Sequence, residues 1–347
     1  MCYTLDEETK KTTMFEDLVK KLSPNSLGKG LQFEKVSEWI NRMTFRVDAD
    51  SHPPIQSYVV MPFDGMGIFY YDVAKQLDYG MAWSDTKSIL LSEVRYFKLN
   101  YCMEGRVEVF MQGKGKYAYL EKGMVGFDEN DPELRLSFTK DRYRGFGLYF
   151  NFELMSEKDL TTLSSFGITK EVARDLIDRD EECFLGKASP EFQGIIEDIT
   201  HGIEDKTIDL PRARIQSARL LYLLFHDDVV PMEKSEYTTS GQRKIAEEAR
   251  KIILSEPGVH VTAEEMAERL HCTAPALKKY FRKVHGMPMY SFLQKVRLDK
   301  AEESLRNTGK SIAEIAEEAG YANQSKFCSL FKSNYGVTPS EYRRLHS

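Results

Sequence analysis

TAEEMAERLHCTAPALKKYFRKVHG, residues 262–286, and SIAEIAEEAGYANQSKFCSLFKSNYG, residues 311–336, are two versions of one pattern. TAEEMAE aligns with SIAEIAE at an offset of 49, and Leu277, Phe281 and Gly286 align with Phe327, Phe331 and Gly336 at an offset of 50. The change of offset places the extra residue of the second copy in its turn. Repetition at this period marks a duplicated structural unit. Each copy opens with a capping box, Thr262 with Glu265 and Ser311 with Glu314, in which hydroxyl and carboxylate satisfy backbone N–H groups that a helix start leaves unpaired. In the first copy Met266, Ala267 and Leu270 make an apolar face, His271 and Cys272 fill a tight turn, and Thr273 caps a second helix with Leu277, Phe281 and Val284 inside. In the second copy Ile312, Ile315, Ala316 and Ala319 form the first face, Gly320 supplies the permissive turn, Asn323 caps, and Phe327 and Phe331 face inward. The spacing predicts a helix-turn-helix, twice.

Between the copies, PMYSFLQKVRLDKAEESLR (residues 288–306) carries Phe292, Leu293, Val296 and Leu305 as the stripe of one continuous helix with proline in its first turn. At 1.5 Å per residue it is ~28 Å long, comparable to the ~34 Å between successive major-groove faces of DNA. Charge separates the helices of each unit. The first helices are acidic (Glu264, Glu265 and Glu268; Glu314, Glu317 and Glu318), whereas residues 272–284 hold Lys278, Lys279, Arg282 and Lys283 without an acid, and residues 322–333 hold Lys326 and Lys332 without an acid. The second helices are therefore the pair suited to a groove lined with phosphates. The same asymmetry holds for the chain. Its net charge is −6, but residues 243–347 hold 18 Lys/Arg against 13 Asp/Glu, net +5, and the remainder 30 against 41, net −11. A basic module that meets a polyanion is joined to an acidic one.

Residues 243–346 resemble the DNA-binding domain of the AraC/XylS family of bacterial transcription regulators. VRLDKAEESL resembles the family's linker-helix motif, and AGYANQSKFCSLFKSNYGVTPSEYRR its C-terminal signature. The resemblance places base-edge contacts on Pro275, Lys278 and Lys279, with Arg282 near phosphate, and in the second unit on Gln324, Ser325, Cys328 and Ser329, with Lys332 near phosphate. Lysine can donate to guanine O6 and N7 and glutamine can pair with adenine, whereas Pro275 offers only apolar contact. Double-stranded promoter DNA and RNA polymerase are the partners the resemblance implies, and activation the mode of action.

Upstream, runs such as IQSYVV, GIFYYDV, SILLSEVRYFKLNYCM, RVEVFMQ, KYAYL, MVGFD, ELRLSF and YRGFGLYFNF alternate between residues 55 and 152, separated by Gly, Asp, Asn and Pro turns, which reads as antiparallel β structure. The stretch YCMEGRVEVFMQGKGKYAYLEKGMVGFDEN resembles the small cupin-like β-barrel sensor of the same family. Phe69, Tyr70, Tyr71, Tyr96, Phe97, Tyr101, Phe146, Tyr149 and Phe150 are the aromatic side chains available to fill such a barrel or to line a pocket for a small-molecule effector. The effector and its contact residues are not readable from the sequence. FQGIIEDITHGI (residues 192–203) and PRARIQSARLLYLLFHD (residues 211–227) read as amphipathic helices, and Leu220, Leu221, Leu223, Leu224 and Phe225 make the second apolar on several faces, as expected either of a helix that packs a core and joins a homodimer or of one packed wholly within its own subunit.

The expected architecture is α+β and multi-domain: a cupin-like β-barrel sensor over residues 1–153, a helical packing or dimerisation segment over 154–228, a linker over 229–242, and an all-α DNA-binding domain over 243–347 with two helix-turn-helix units joined by a linker helix. The composition, 41% hydrophobic and 29% charged, excludes disordered and collagen-like classes. No apolar stretch reaches membrane-spanning length, the N-terminus lacks a signal-peptide core, and five cysteines without a C-x-x-C spacing fit the cytoplasm. His52 is the lone histidine of the β region, and no P-loop, dinucleotide or G-x-S-x-G motif occurs, so neither an enzyme nor a metal or other cofactor is expected. Two rivals stand beside the regulator: a barrel enzyme fused to a DNA-targeting tail, and an acidic scaffold whose DNA binding ignores effectors.

Overall fold

The computed structural model describes residues 32–45, 55–73, 96–111, 115–129, 134–138, 142–178, 183–226, 228–233, 236–255, 257–258 and 261–346. His52, residues 1–31 and residues 88–95 of the apolar runs lie outside these. The chain divides into two units at Tyr237/Thr238.

The first unit contains β1 (Gln32–Lys35), β2 (Asn41–Phe45), β3 (Ile55–Phe63), β4 (Met66–Val73), β5 (Phe97–Glu104), β6 (Arg106–Met111), β7 (Lys116–Glu121), β8 (Met124–Asp128), β9 (Leu134–Phe138) and β10 (Tyr143–Phe150). These are followed by α1 (Glu157–Ser164), α2 (Lys170–Asp178), β11 (Phe184–Ala188), α3 (Pro190–Glu204), α4 (Leu210–Phe225) and β12 (Val229–Pro231). The larger sheet runs β1-β2-β3-β4-β10-β5-β8-β11-β12. β6 pairs with both β7 and β9 in a second sheet. Side chains alternate across β10: Phe146, Leu148 and Phe150 enter a core shared with Phe192, Ile195, Ile196 and Ile199 of α3 and Leu220, Leu221 and Leu224 of α4. On the opposite face Val59, Phe69, Cys102 and Tyr143 pack with Val107, Val109 and Met111 of β6 and Ala118 and Leu120 of β7. The large sheet is therefore covered by helices on one side and by the small sheet on the other.

This corrects the expected barrel, which is not closed. β8 pairs with β5 on one side and β11 on the other, and β11 pairs in turn with β12, so the sheet grows away from β1 instead of returning to it. A period-two pattern identifies strands and faces but not partners. Closure is one way of burying both faces of a sheet, and here two other layers bury them. β11 also interrupts a stretch that read as helical, being only five residues long. The two amphipathic helices start where their caps dictate: Ser189 accepts from Phe192 N (3.1 Å) ahead of Pro190, and Asp209 from Arg212 N (2.8 Å) ahead of Pro211.

The second unit is helical: α5 (Ser240–Ser255), α6 (Ala263–Arg269), α7 (Ala274–His285), α8 (Met289–Asn307), α9 (Ile312–Glu318), α10 (Gln324–Tyr335) and α11 (Pro339–His346). Both capping boxes are made, with Thr262 N donating to Glu265 Oε2 (2.8 Å) and Ser311 N to Glu314 Oε2 (2.7 Å). There are two cores. Ala249, Ile253, Met266, Ala267, Leu277 and Phe281 form the first, joined by Met289, Phe292, Leu293 and Val296 from the first half of α8. Leu298, Ala301 and Leu305 from its second half join Ile315, Ala316, Phe327, Phe331 and Tyr342 in the second. One helix serves as the last element of one repeat and the first of the next.

The duplication extends further than the motif shows. Phe281, His285 and Phe292 contact one another with ring centroids 4.4–6.0 Å apart, and Phe331, Tyr335 and Tyr342 do so at 4.4–5.7 Å. The two turns differ. His271 (φ 53°) and Gly320 (φ 80°) occupy equivalent left-handed positions, two residues before the cap Thr273 in the first turn and three before Asn323 in the second. A side chain in that conformation is strained by about 1 kcal/mol. His271→Gly is therefore expected to raise stability by about 0.5–1 kcal/mol in thermal melts; a lower melting temperature would show that the histidine makes a compensating contact.

Candidate nucleic-acid interface

On α7, Leu277, Phe281 and Val284 are buried, and Pro275, Lys278, Lys279 and Arg282 are exposed on the opposite side, within an arc of about 100° at 100° per residue. On α10, Phe327 and Phe331 are buried while Gln324, Ser325, Ser329 and Lys332 are exposed. Cys328 is only half-exposed and packs against the second core, so it presents less surface than its neighbours. The structure thus brings the first set onto one face of α7 and the second onto α10. Both helices start at a side-chain cap, Ala276 N donating to Thr273 Oγ1 (3.4 Å) and Lys326 N to Asn323 Oδ1 (3.0 Å). Both end at a left-handed glycine, Gly286 (φ 73°) and Gly336 (φ 80°).

The electrostatics follow the same division. Glu264, Glu268, Glu317 and Glu318 are exposed on the first helices. Lys278 Nζ lies 3.7 Å from Glu264 Oε1, an exposed pair of the kind that contributes little and can exchange for a phosphate or base. Behind the surface, Tyr335 donates to Asp299 Oδ1 (2.9 Å), and burial together with that carboxylate raises its phenol far above the ordinary value, so it is a neutral donor. Burial also pushes the Cys272 thiol up, away from reactive thiolate character.

Residues 266–345 match the family described as "Helix-turn-helix domain". The Msm operon regulatory protein of Streptococcus mutans is 28% identical over 114 residues, 33% of this chain and 41% of that protein. An HTH-type transcriptional regulator of Haemophilus influenzae is 30% identical over 130 residues, 38% and 44% of the two chains. The HTH-type transcriptional activator RhaR of Mannheimia succiniciproducens is 38% identical over 68 residues, 20% and 25%. The C-terminal unit is an AraC/XylS-type helix-turn-helix domain. Its matches span less than half the length of these relatives, which are transcription regulators. α7 and α10 are the second helices of the two helix-turn-helix units, and α8 connects the units.

One element of this domain escaped the sequence reading. Arg297, on α8 between Val296 of the first core and Leu298 of the second, is buried, and its guanidinium donates to backbone carbonyls. The available signal was an arginine set among core positions of a helix.

The first unit holds a second polar group of side chains, on the face covered by the small sheet. Lys98 and Asp128 stand opposite each other on β5 and β8, both buried, with Nζ 3.2 Å from Oδ1. Tyr71 donates to the Tyr149 hydroxyl (3.1 Å), and Tyr149 donates to Asn100 Oδ1 (3.3 Å). Tyr96 packs 5.7 Å from Tyr149, with its buried hydroxyl unpaired among the described residues, beside a small cavity lined by Gly65, Gly67, Phe69 and Asn151. Burial drives the Tyr71 and Tyr96 phenols well above 10, so they remain protonated donors. Of the aromatics expected in a barrel interior, Phe69, Tyr71, Tyr96 and Tyr149 lie here. Tyr70, Phe97, Tyr101, Phe146 and Phe150 belong to the helix-covered core. Among the described residues no three His, Cys, Asp or Glu side chains are placed to hold a metal ion, and no helix is long and apolar enough to cross a membrane.

Proposed function

We propose that this chain is a ligand-responsive, sequence-specific transcription regulator that inserts α7 and α10 into adjacent major grooves of promoter DNA. The observation that carries this reading is the pair of equivalent, acid-free, exposed helix faces held in one unit by α8, whose 19 residues span ~28 Å. Pro275, Lys278 and Lys279, and Gln324, Ser325, Cys328 and Ser329, are the base-edge residues of this reading. Arg282 and Lys332 meet phosphate. Activation is carried over from a relative that is itself named an activator, RNA polymerase is the partner that the family resemblance implies, and the cytoplasm is the compartment that fits.

The N-terminal unit is the sensor for a small-molecule effector in this reading, and its buried Lys98, Asp128 and tyrosine hydroxyls support it, because polar groups are costly to bury and collect at functional sites. Residues 1–153 would form the sensor, 154–228 its helical segment, 229–242 the linker and 243–347 the DNA-binding part. α4 leaves Ile215 (62% exposed) and Tyr222 (47%) on its outer face, two positions a second copy could cover in a homodimer.

Binding titrations over a range of salt test the groove assignment. Lys279→Ala is expected to weaken specific binding by about 1–3 kcal/mol in a base-dependent manner. Lys332→Ala is expected to weaken all sequences alike and reduce the salt slope by about one. Wild-type affinity and slope in both variants would remove the assignment.

A further inference from the structure

The two cores of the C-terminal unit share no residue, and α8 contributes side chains to both. A polar contact also ties the repeats together directly. Arg297 of α8 is 8% exposed. Its Nε donates to the carbonyl of Pro257 (2.7 Å), in the connection between α5 and α6, and its Nη1 to the carbonyl of Gly320 (3.2 Å), in the turn between α9 and α10. The guanidinium carbon lies 5.8 Å from the ring centre of Tyr321, the next residue of that turn. The two backbones meet beside it. A Cβ on Gly258 would stand 2.9 Å from the Glu318 carbonyl oxygen, and a Cβ on Gly320 would stand 2.9 Å from both the Gly258 carbonyl oxygen and Arg297 Cζ. The approach needs glycine on both sides. A planar guanidinium presents donors in a fixed fork, so two acceptors bonded to it are held at a set separation, which a lysine ammonium on a flexible stem would not impose.

We propose that Arg297, seated in the Gly258/Gly320 contact, is a positioning residue that fixes α10 relative to α7 and thereby sets the half-site spacing the protein accepts. The spacing part rests on the two-groove reading above. Two linked readers gain avidity only where the connection matches the span of their sites, so a stiff connection converts spacing into specificity and a loose one tolerates error.

The clamp itself is tested without DNA. In the full chain with Cys2, Cys272 and Cys328 replaced by serine, spin labels are attached through Lys279→Cys and Ser329→Cys, and the distance distribution between them is measured by double electron–electron resonance. A single narrow distribution is expected, broadened about twofold or more by Arg297→Gln and, independently, by Gly258→Ala, with Arg297→Lys in between. Unchanged width in the folded Gln and Ala variants overturns the clamp. The spacing role is tested on the unlabelled full chain with a DNA fragment it selects from random sequence, and with the same fragment carrying a one-base-pair insertion between half-sites. The wild type is expected to lose about tenfold or more on insertion, and Arg297→Gln less than about threefold, with affinity for an isolated half-site unchanged. An equal penalty in both overturns the spacing role. Failure of the wild type to select any DNA overturns the two-groove reading, and the spacing role with it, while the distance distributions still decide the clamp.

Discussion

Replacing Phe331 with alanine is expected to remove about 3–5 kcal/mol from the C-terminal unit and to leave a protein that protects one groove of its DNA site where the wild type protects two. Phe331 is fully buried, and its ring contacts Phe327, Tyr335 and Tyr342 at centroid distances of 5.7, 4.4 and 5.5 Å. Truncation forfeits the burial of the ring and opens a cavity among aromatic neighbours that cannot collapse without leaving their own partners. Against a typical domain stability of about 5–15 kcal/mol, that loss is large enough to unfold the second repeat locally. The first repeat has its own core around Leu277 and Phe281 and keeps it. Denaturation should therefore show an early transition, and footprinting a shortened site. Simultaneous loss of both grooves, or an unshifted melt, would show that the repeats fold as one cooperative body. Phe281→Ala is the mirror experiment and should spare the other groove.

The C-terminal unit was legible because everything that defines it is local. Capping boxes, turn glycines and inward Phe and Leu residues lie within 25 residues of one another, and each element can be located from its own chemistry. The aromatic sets Phe281/His285/Phe292 and Phe331/Tyr335/Tyr342 were less visible because histidine and tyrosine stand at equivalent places. Arg297 was invisible as a contact, since its acceptors are backbone carbonyls 40 and 23 residues away. The N-terminal unit was legible only as strands. Which strand pairs with which depends on contacts between distant segments, such as β10 at residues 143–150 lying between β4 and β5. Alternation also could not assign Tyr70 to the helix-covered face and Tyr71 to the polar one until it was known which layer covers each face. Sites built on local repeats are readable at the level of residues, and sites built on sheet topology are not.

Asp128→Ala is expected to destabilise the N-terminal unit by about 3–5 kcal/mol, because it leaves the Lys98 ammonium buried without its counter-charge. Lys98 is 7% and Asp128 5% exposed. Their attraction, on the order of 5 kcal/mol at an effective dielectric of ~20, roughly balances the cost of desolvating both, so the pair as a whole adds little while either half alone is costly. Lys98→Met combined with Asp128→Leu should consequently recover most of the loss, a coupling that a double-mutant cycle reads directly. The pH dependence supplies a sign. In the wild type burial disfavours the Lys98 ammonium, but the Asp128 carboxylate, together with Tyr149 and Cys183, more than offsets this and holds its pKa above the ordinary 10.5. That contribution is complete below 10.5 and is lost only as pH rises through the higher folded value. Without Asp128, burial, the largest influence on Lys98, is expected to outweigh Tyr149 and Cys183, and the folded pKa to fall below the unfolded one. The folded protein then binds fewer protons, and its stability rises with pH until the unfolded lysine titrates near ~10. Melts of Asp128→Ala between pH 6 and 10 should climb while those of the wild type do not. Parallel curves would mean that water or another acceptor reaches Lys98 in the variant, and that the ion pair does not decide the polarity of this interior.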